Sequence, residues 1–255
     1  EGQLVAERQG EIVGAASSLV LDWEAHAAAP RRQALTAQQR GAAGILIYSD
    51  PADDGERKGK VYPDGPWGPP SHIQRGGIVY DFMVPGDPLT PGWASTTGAP
   101  RIDRASATSL PRIVSAPLSN KDARPILEAL SGPLVPKAWQ GGLPLTYRAG
   151  PGPARVRLRV KSDDLIRPIW TVTGRITGRE HPEELVIVGN HRDAWVFGAV
   201  DPNSGTSAML EVGRGFGELL KQGWKPRRTI VLCSWDAEEY GLIGSTEWAE
   251  EFASE

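Results

Sequence analysis

His191, Asp201 and the adjacent pair Glu238-Glu239 are the residues of this chain whose types could do chemistry together. Imidazole and carboxylate are ligands that suit Zn²⁺, and a carboxylate can bridge two ions about 3.5–4 Å apart. Hydrolysis at such a centre also needs a base for the proton of the attacking water, and a carboxylate beside the metals that does not bind them can serve. Two adjacent glutamates offer one ligand and one base. Taken singly, His191 would be read as a packed structural histidine and Glu238-Glu239 as a solvated acidic turn. Their placement in the chain argues for more.

The elements that must position them are legible in the pattern. Leu185-Val186-Ile187-Val188-Gly189-Asn190-His191 is an apolar strand that ends on the histidine. Asp201 follows ten residues later (201 − 191), and Pro202-Asn203-Ser204-Gly205 then opens a helix from Ser204 to Leu220, with Met209, Val212, Phe216 and Leu219 at one-face spacing. Thr229-Ile230-Val231-Leu232-Cys233-Ser234-Trp235 is a second buried strand that runs into Asp236-Ala237-Glu238-Glu239. Strand, helix and strand make a βαβ unit, so the two strands should run parallel in one sheet. His191 and the glutamate pair then lie at the same carboxyl edge, with Asp201 on the loop between. Open α/β sheets bind their ligands at that edge. The bond between Asp201 and Pro202 is expected to be cis, a geometry that costs an X-Pro bond only about 0.5–1 kcal/mol.

Gly189-Asn190-His191-Arg192-Asp193-Ala194-Trp195-Val196-Phe197-Gly198-Ala199-Val200-Asp201-Pro202-Asn203-Ser204-Gly205 closely resembles the first metal-binding segment of the glutamate carboxypeptidase II family. Ser234-Trp235-Asp236-Ala237-Glu238-Glu239-Tyr240-Gly241-Leu242-Ile243-Gly244-Ser245-Thr246-Glu247-Trp248 resembles the second. These are dizinc peptidases, with the transferrin receptor as a non-catalytic relative. The resemblance implies two Zn²⁺ ions, with His191 on one, Glu239 on the other and Asp201 bridging them. It makes Glu238 the general base and Asp193 a partner that holds the His191 ring. It also implies a structural Ca²⁺ held by Glu247, Glu250, the Thr90 hydroxyl and a backbone carbonyl at Trp93, a hard cation with oxygen ligands.

Composition sets outer bounds. The chain has 255 residues, 40% hydrophobic and 23% charged, enough for one large domain or two ordinary ones. A net charge of −3 argues against nucleic acid as a partner. No apolar run approaches the roughly 18 residues of a membrane span. The single cysteine, Cys233, leaves no internal disulfide and no Cys-x-x-Cys zinc site. His26, His72 and His181 read as ordinary solvated residues. The chain begins Glu1-Gly2-Gln3 without Met or signal peptide, so it is read as an internal piece of a longer protein.

Before the metal segment, the pattern predicts a helix over 32–40 closed by Gly41, a strand over 44–50, a strand over 111–117, and a helix from Lys121 to Leu130 capped by Ser119. Short strands at 4–6 and 11–13 are also expected, with half-buried strands at 156–160 and 169–176. Gln38, Gly41 to Gly44 and Tyr48-Ser49-Asp50-Pro51 resemble the protease-associated domain of the same family. From Val61 to Trp93 the chain is rich in Pro and Gly, and its length argues for a packed functional loop region. In the family this stretch roofs the active site. Gly150-Pro151-Gly152-Pro153 marks a boundary.

The expected architecture is therefore α/β: a protease-associated domain of mixed β with helices over 1–152, then the first part of an α/β dizinc-peptidase domain over 153–255 with a mostly parallel central sheet. The expected activity is that of a carboxypeptidase-like exopeptidase acting on a peptide or acylated amino acid through a dizinc-activated water. An aminopeptidase of the same fold and a transferrin receptor-like binding protein are the alternatives. The family's remaining zinc ligands would lie beyond Glu255, so this chain alone is expected to be inactive. The resemblance further implies a homodimer and an extracytoplasmic location.

Overall fold

A computed structural model describes residues 28–163 and 165–253. The short strands expected at 4–6 and 11–13, and the solvated reading of His26, lie outside the described residues. The chain forms two compact units, one from the described residues up to Tyr80 with Pro111–Leu165, the other from Asp81–Leu110 with Ile166 onward.

In the first unit, helix α1 (Ala28–Gln39) leads through Gly41, whose φ of 75° is the left-handed geometry of a glycine helix stop, into β1 (Gly44–Tyr48). β1 pairs in parallel with β2 (Val114–Leu118), in register from Gly44–Val114 to Tyr48–Leu118. Strand side chains alternate between faces. Ile45 and Ile47 accordingly join one apolar cluster, with Ala34, Ala37, Tyr80 and Ile113, while Tyr48 packs against the other, built on Ala123, Leu127, Val135, Leu143 and Tyr147. Helix α2 (Asn120–Glu128) supplies that second cluster. Its cap is Ser119, whose hydroxyl oxygen accepts the Asp122 N–H, an arrangement worth about 1 kcal/mol. Residues 156–160 differ from expectation. Val156, Leu158 and Val160 alternate into partial burial as a half-buried strand would, but no ladder joins them to another strand among the described residues. Hydrophobic alternation records which way side chains face and says nothing about a hydrogen-bonding partner.

In the second unit, β3 (Val172–Ile176), β4 (His181–His191) and β5 (Arg228–Trp235) form a sheet in the order β3-β5-β4. β4 and β5 are parallel, as the βαβ reading expects, and His191 pairs with Trp235 at their shared carboxyl edge. β3 is antiparallel to β5, so the described sheet is mixed, not mostly parallel. A short polar connection between β3 and β4 cannot make a parallel crossover between adjacent strands, and the intervening β5 fills the gap. Helix α3 (Asn203–Lys221) connects β4 to β5, and α4 (Ile243–Phe252) follows the glutamate pair. Of the apolar stripe on α3, Met209 is buried, while Val212 and Leu219 remain well exposed and Phe216 stacks on Trp224 with ring centroids 5.8 Å apart. The Asp201–Pro202 peptide bond is cis, as is Tyr62–Pro63.

Candidate metal centre

At the carboxyl edge of β4 and β5 the structure brings His191, Asp201 and Glu239 together. One ligand atom from each lies within 4.8 Å of the others. His191 Nε2 meets Asp201 Oδ1 at 2.7 Å, while Nδ1 faces the Asp193 backbone carbonyl at 3.1 Å. The Glu238 carboxylate stands against the Nδ1 edge of the ring, 3.7 Å away, and is not part of the three-residue group. Burial alone would push the His191 pKa down, but the carboxylates of Glu238, Asp201 and Asp193 outweigh it and hold the imidazole above its ordinary value. Burial, reinforced by Asp201 and Glu238, pushes Glu239 up. One nitrogen and two carboxylate oxygens, crowded at the cost of like-charge repulsion, form a donor set that fits zinc.

Local backbone geometry presents these groups. Asp193 Oδ1 accepts the N–H of Glu238 at 3.0 Å and Oδ2 the N–H of Glu239 at 3.1 Å. The carboxylate expected to hold the histidine ring thus clamps the glutamate turn, and it lies 3.5 Å from Nδ1. The turn is tight: Ala237 and Leu242 both have positive φ, and the Glu238 carbonyl accepts from Gly241 and Leu242. Gly244 closes it, since a Cβ there would lie 2.2 Å from the Asp236 carbonyl oxygen. Arg192 pairs with Asp236 at 3.2 Å, and Asp236 also accepts the Trp170 N–H at 3.0 Å. Spacing alone could not reveal these amide clamps, because any residue type supplies an N–H. Asn190 and Thr206 also carry hydrogen bonds in this region that no sequence pattern signals.

The second set of expected ligands also converges within this unit. Glu247 on α4 accepts the N–H of Asp87 at 2.6 Å and of Ser95 at 2.5 Å. Glu250, one turn on, accepts the Gly92 N–H. Thr90 is buried inside the loop so gripped, and the Trp93 N–H donates to the Thr90 carbonyl at 3.2 Å. Thr90 Oγ1 and Glu250 Oε2 are buried without a well-formed hydrogen bond. Burial pushes both Glu247 and Glu250 above their ordinary values.

A third cluster, His181 with Glu183 and Glu184, lies at the opposite end of β4. Both glutamates are exposed, and Glu184 is paired with Arg228. Like His72, which lies 3.7 Å from Asp54, His181 keeps its reading as a surface residue.

Residues 171–255 match the model of Peptidase family M28. A probable glutamate carboxypeptidase of Arthroderma benhamiae is 50% identical over 228 residues, covering 85% of this chain and 31% of that protein. Probable glutamate carboxypeptidase VP8 of Zea mays is 46% identical over 219 residues, covering 84% and 28%. Aminopeptidase NAALADL1 of Mus musculus is 42% identical over 235 residues, covering 87% and 31%. Among solved structures, a Peptidase M28 precursor from Shewanella amazonensis overlaps 89% of this chain and 38% of that chain, at a TM-score of 0.43 and 21% identity. The chain thus spans about a third or less of the curated relatives it matches. It belongs, with them, to peptidase family M28, as a glutamate carboxypeptidase II-like member.

Proposed function

We propose that the protein containing this chain is a zinc exopeptidase of the glutamate carboxypeptidase type, and that His191, Asp201 and Glu239 hold its metal. The observation that carries this is the convergence of one imidazole and two carboxylates within 4.8 Å, with a third acid, Glu238, outside the group but against the same histidine. His191, Asp201 and Glu239 would together hold two ions, with Asp201 serving both, His191 one and Glu239 the other. Zinc, when bound, would polarise the scissile carbonyl and make a water more acidic. Glu238 would remove the proton of the attacking water and return it to the departing nitrogen. Asp193 would keep the two glutamates in fixed positions through their amides. Among the described residues each ion would then have two protein ligands, short of the three usual at a catalytic zinc, so the segment by itself is proposed to be inactive.

The Thr90, Trp93, Glu247 and Glu250 cluster is proposed as a structural Ca²⁺ site. Two buried oxygens without a well-formed hydrogen bond, Thr90 Oγ1 and Glu250 Oε2, support this, because a hard cation would satisfy both. An aminopeptidase activity is the second reading, favoured by the 42% identity to a relative named for that activity. An extracytoplasmic location and a homodimeric assembly belong to the same proposal and rest on the resemblance alone. The test is hydrolysis by the full-length protein of two matched peptides, one blocked at its amino end and one at its carboxyl end. The account expects chelator-sensitive cleavage of the amino-blocked peptide, restored by Zn²⁺. Cleavage of only the carboxyl-blocked peptide would establish the aminopeptidase reading. Cleavage of neither, with zinc bound, would favour a binding protein.

A further inference from the structure

Asp201 has an exposed side chain, and its carboxylate meets His191 Nε2 at 2.7 Å. Its position therefore depends on its backbone, which sits on a loop ten residues beyond β4 (201 − 191). The residue that ties this loop to the strand is Asn190, immediately before His191. Its side-chain Nδ2 donates to the Pro202 carbonyl at 3.2 Å, to Thr206 Oγ1 at 2.8 Å and to the His191 carbonyl at 2.7 Å. The Thr206 hydroxyl, in the first turns of α3, donates to the same His191 carbonyl at 2.9 Å. The Thr206 N–H also reaches the Pro202 carbonyl, at 3.1 Å.

These bonds form a closed clasp. They join the backbone of His191, the backbone immediately after Asp201 and the start of α3. The clasp also explains a glycine. A Cβ on Gly205 would lie 2.2 Å from Asn190 Oδ1, so the amide lies flat on a position where no side chain fits. The donors match their roles: an amide NH₂ and a hydroxyl face backbone carbonyls, so the group cannot be replaced by an acid of the same shape without setting oxygen against oxygen.

We propose that Asn190 and Thr206 are positioning residues that set the separation of His191 from Asp201, holding both ligand groups within reach of one ion before it binds. The inference rests on the metal-centre reading above. Partners that orient ligands from one layer further out typically contribute about 10- to 100-fold to metal affinity. In the full-length protein, Asn190→Asp and Thr206→Val should weaken zinc affinity by about that factor, measured by competition with a chromophoric chelator. Thr206→Ser, which keeps the hydroxyl, should bind zinc like the parent. With Co²⁺ in place of zinc, the visible absorption band of Thr206→Val should shift or lose intensity while that of Thr206→Ser does not. A purely structural role would lower the melting temperature of the metal-free protein and leave both metal readouts unchanged. Parent-like zinc affinity and an unaltered Co²⁺ band in Thr206→Val overturn the clasp, and this variant decides the matter if Asn190→Asp does not fold. Absence of zinc binding by the parent protein would instead overturn the metal-centre reading itself.

Discussion

Two groups of acids lie within the same unit of this molecule, and their surroundings differ in kind. Around His191 the groups satisfy one another: the imidazole bonds Asp201, whose side chain is 73% exposed, and the glutamate turn hangs from Asp193. Around Glu247 the setting is closed. Thr90 is 1% exposed, both Glu247 oxygens are taken by backbone amides, and two buried oxygens, Thr90 Oγ1 and Glu250 Oε2, lack a well-formed hydrogen bond. An open cluster of mutually paired ligands can exchange what it binds and admit a substrate. A closed one with unsatisfied oxygens suits a cation that stays. Under the proposed reading the same residue types would serve catalysis in one place and cohesion in another, and what separates the two settings is access to water and the source of their hydrogen bonds.

Three substitutions would break or sharpen this contrast. The largest effect is expected from Asp201→Asn, which removes the one carboxylate proposed to serve both ions. In the full-length protein, zinc content measured by elemental analysis should fall for both ions and hydrolysis should drop to background. Loss of a single ion would show that Asp201 does not bridge. Next comes Asp193→Asn, which keeps the shape and weakens the charge-assisted grip on the Glu238 and Glu239 amides. Zinc affinity should fall by about 10- to 100-fold by chelator competition, with the fold intact by circular dichroism. An unchanged affinity would mean that the turn holds itself.

The smallest effect belongs to the closed cluster. Calcium at about 100 times its dissociation constant should stabilise the full-length protein by about 2.7 kcal/mol, seen as a rise in the unfolding midpoint. Glu250→Gln should abolish the rise while leaving peptide hydrolysis in place. A calcium response that survives this substitution would remove Glu250 from the site.

The open centre was more legible in the sequence than its supports. An apolar run ending on His191, a helix, and a second run ending before Glu238-Glu239 leave little choice but a parallel pair with its chemistry at one edge, and β4 and β5 have that register. Side-chain chemistry at element ends shows up as spacing. Backbone contributions do not: the amides clamped by Asp193 and the carbonyls gathered by Asn190 belong to the main chain and leave no mark in residue types. Pairing was the weakest reading for a related reason. Alternation at Val156, Leu158 and Val160 fixed which side faces inward but not whether a neighbouring strand exists, and the direction of β3 depended on β5 taking the place beside it. On α3, a helical stripe from Met209 to Leu219 marked an apolar face, while the structure buries only part of it.

The division of labour between two adjacent glutamates is the claim on which the mechanism turns, and Glu238→Gln in the full-length protein tests it most directly. Zinc content and peptide hydrolysis should be measured on the same preparation. The account predicts zinc retained at the parent level, with turnover lower by about 10²- to 10⁴-fold, as expected when a general base is lost. Zinc lost together with activity would contradict it, making Glu238 a ligand and moving the proton transfer elsewhere.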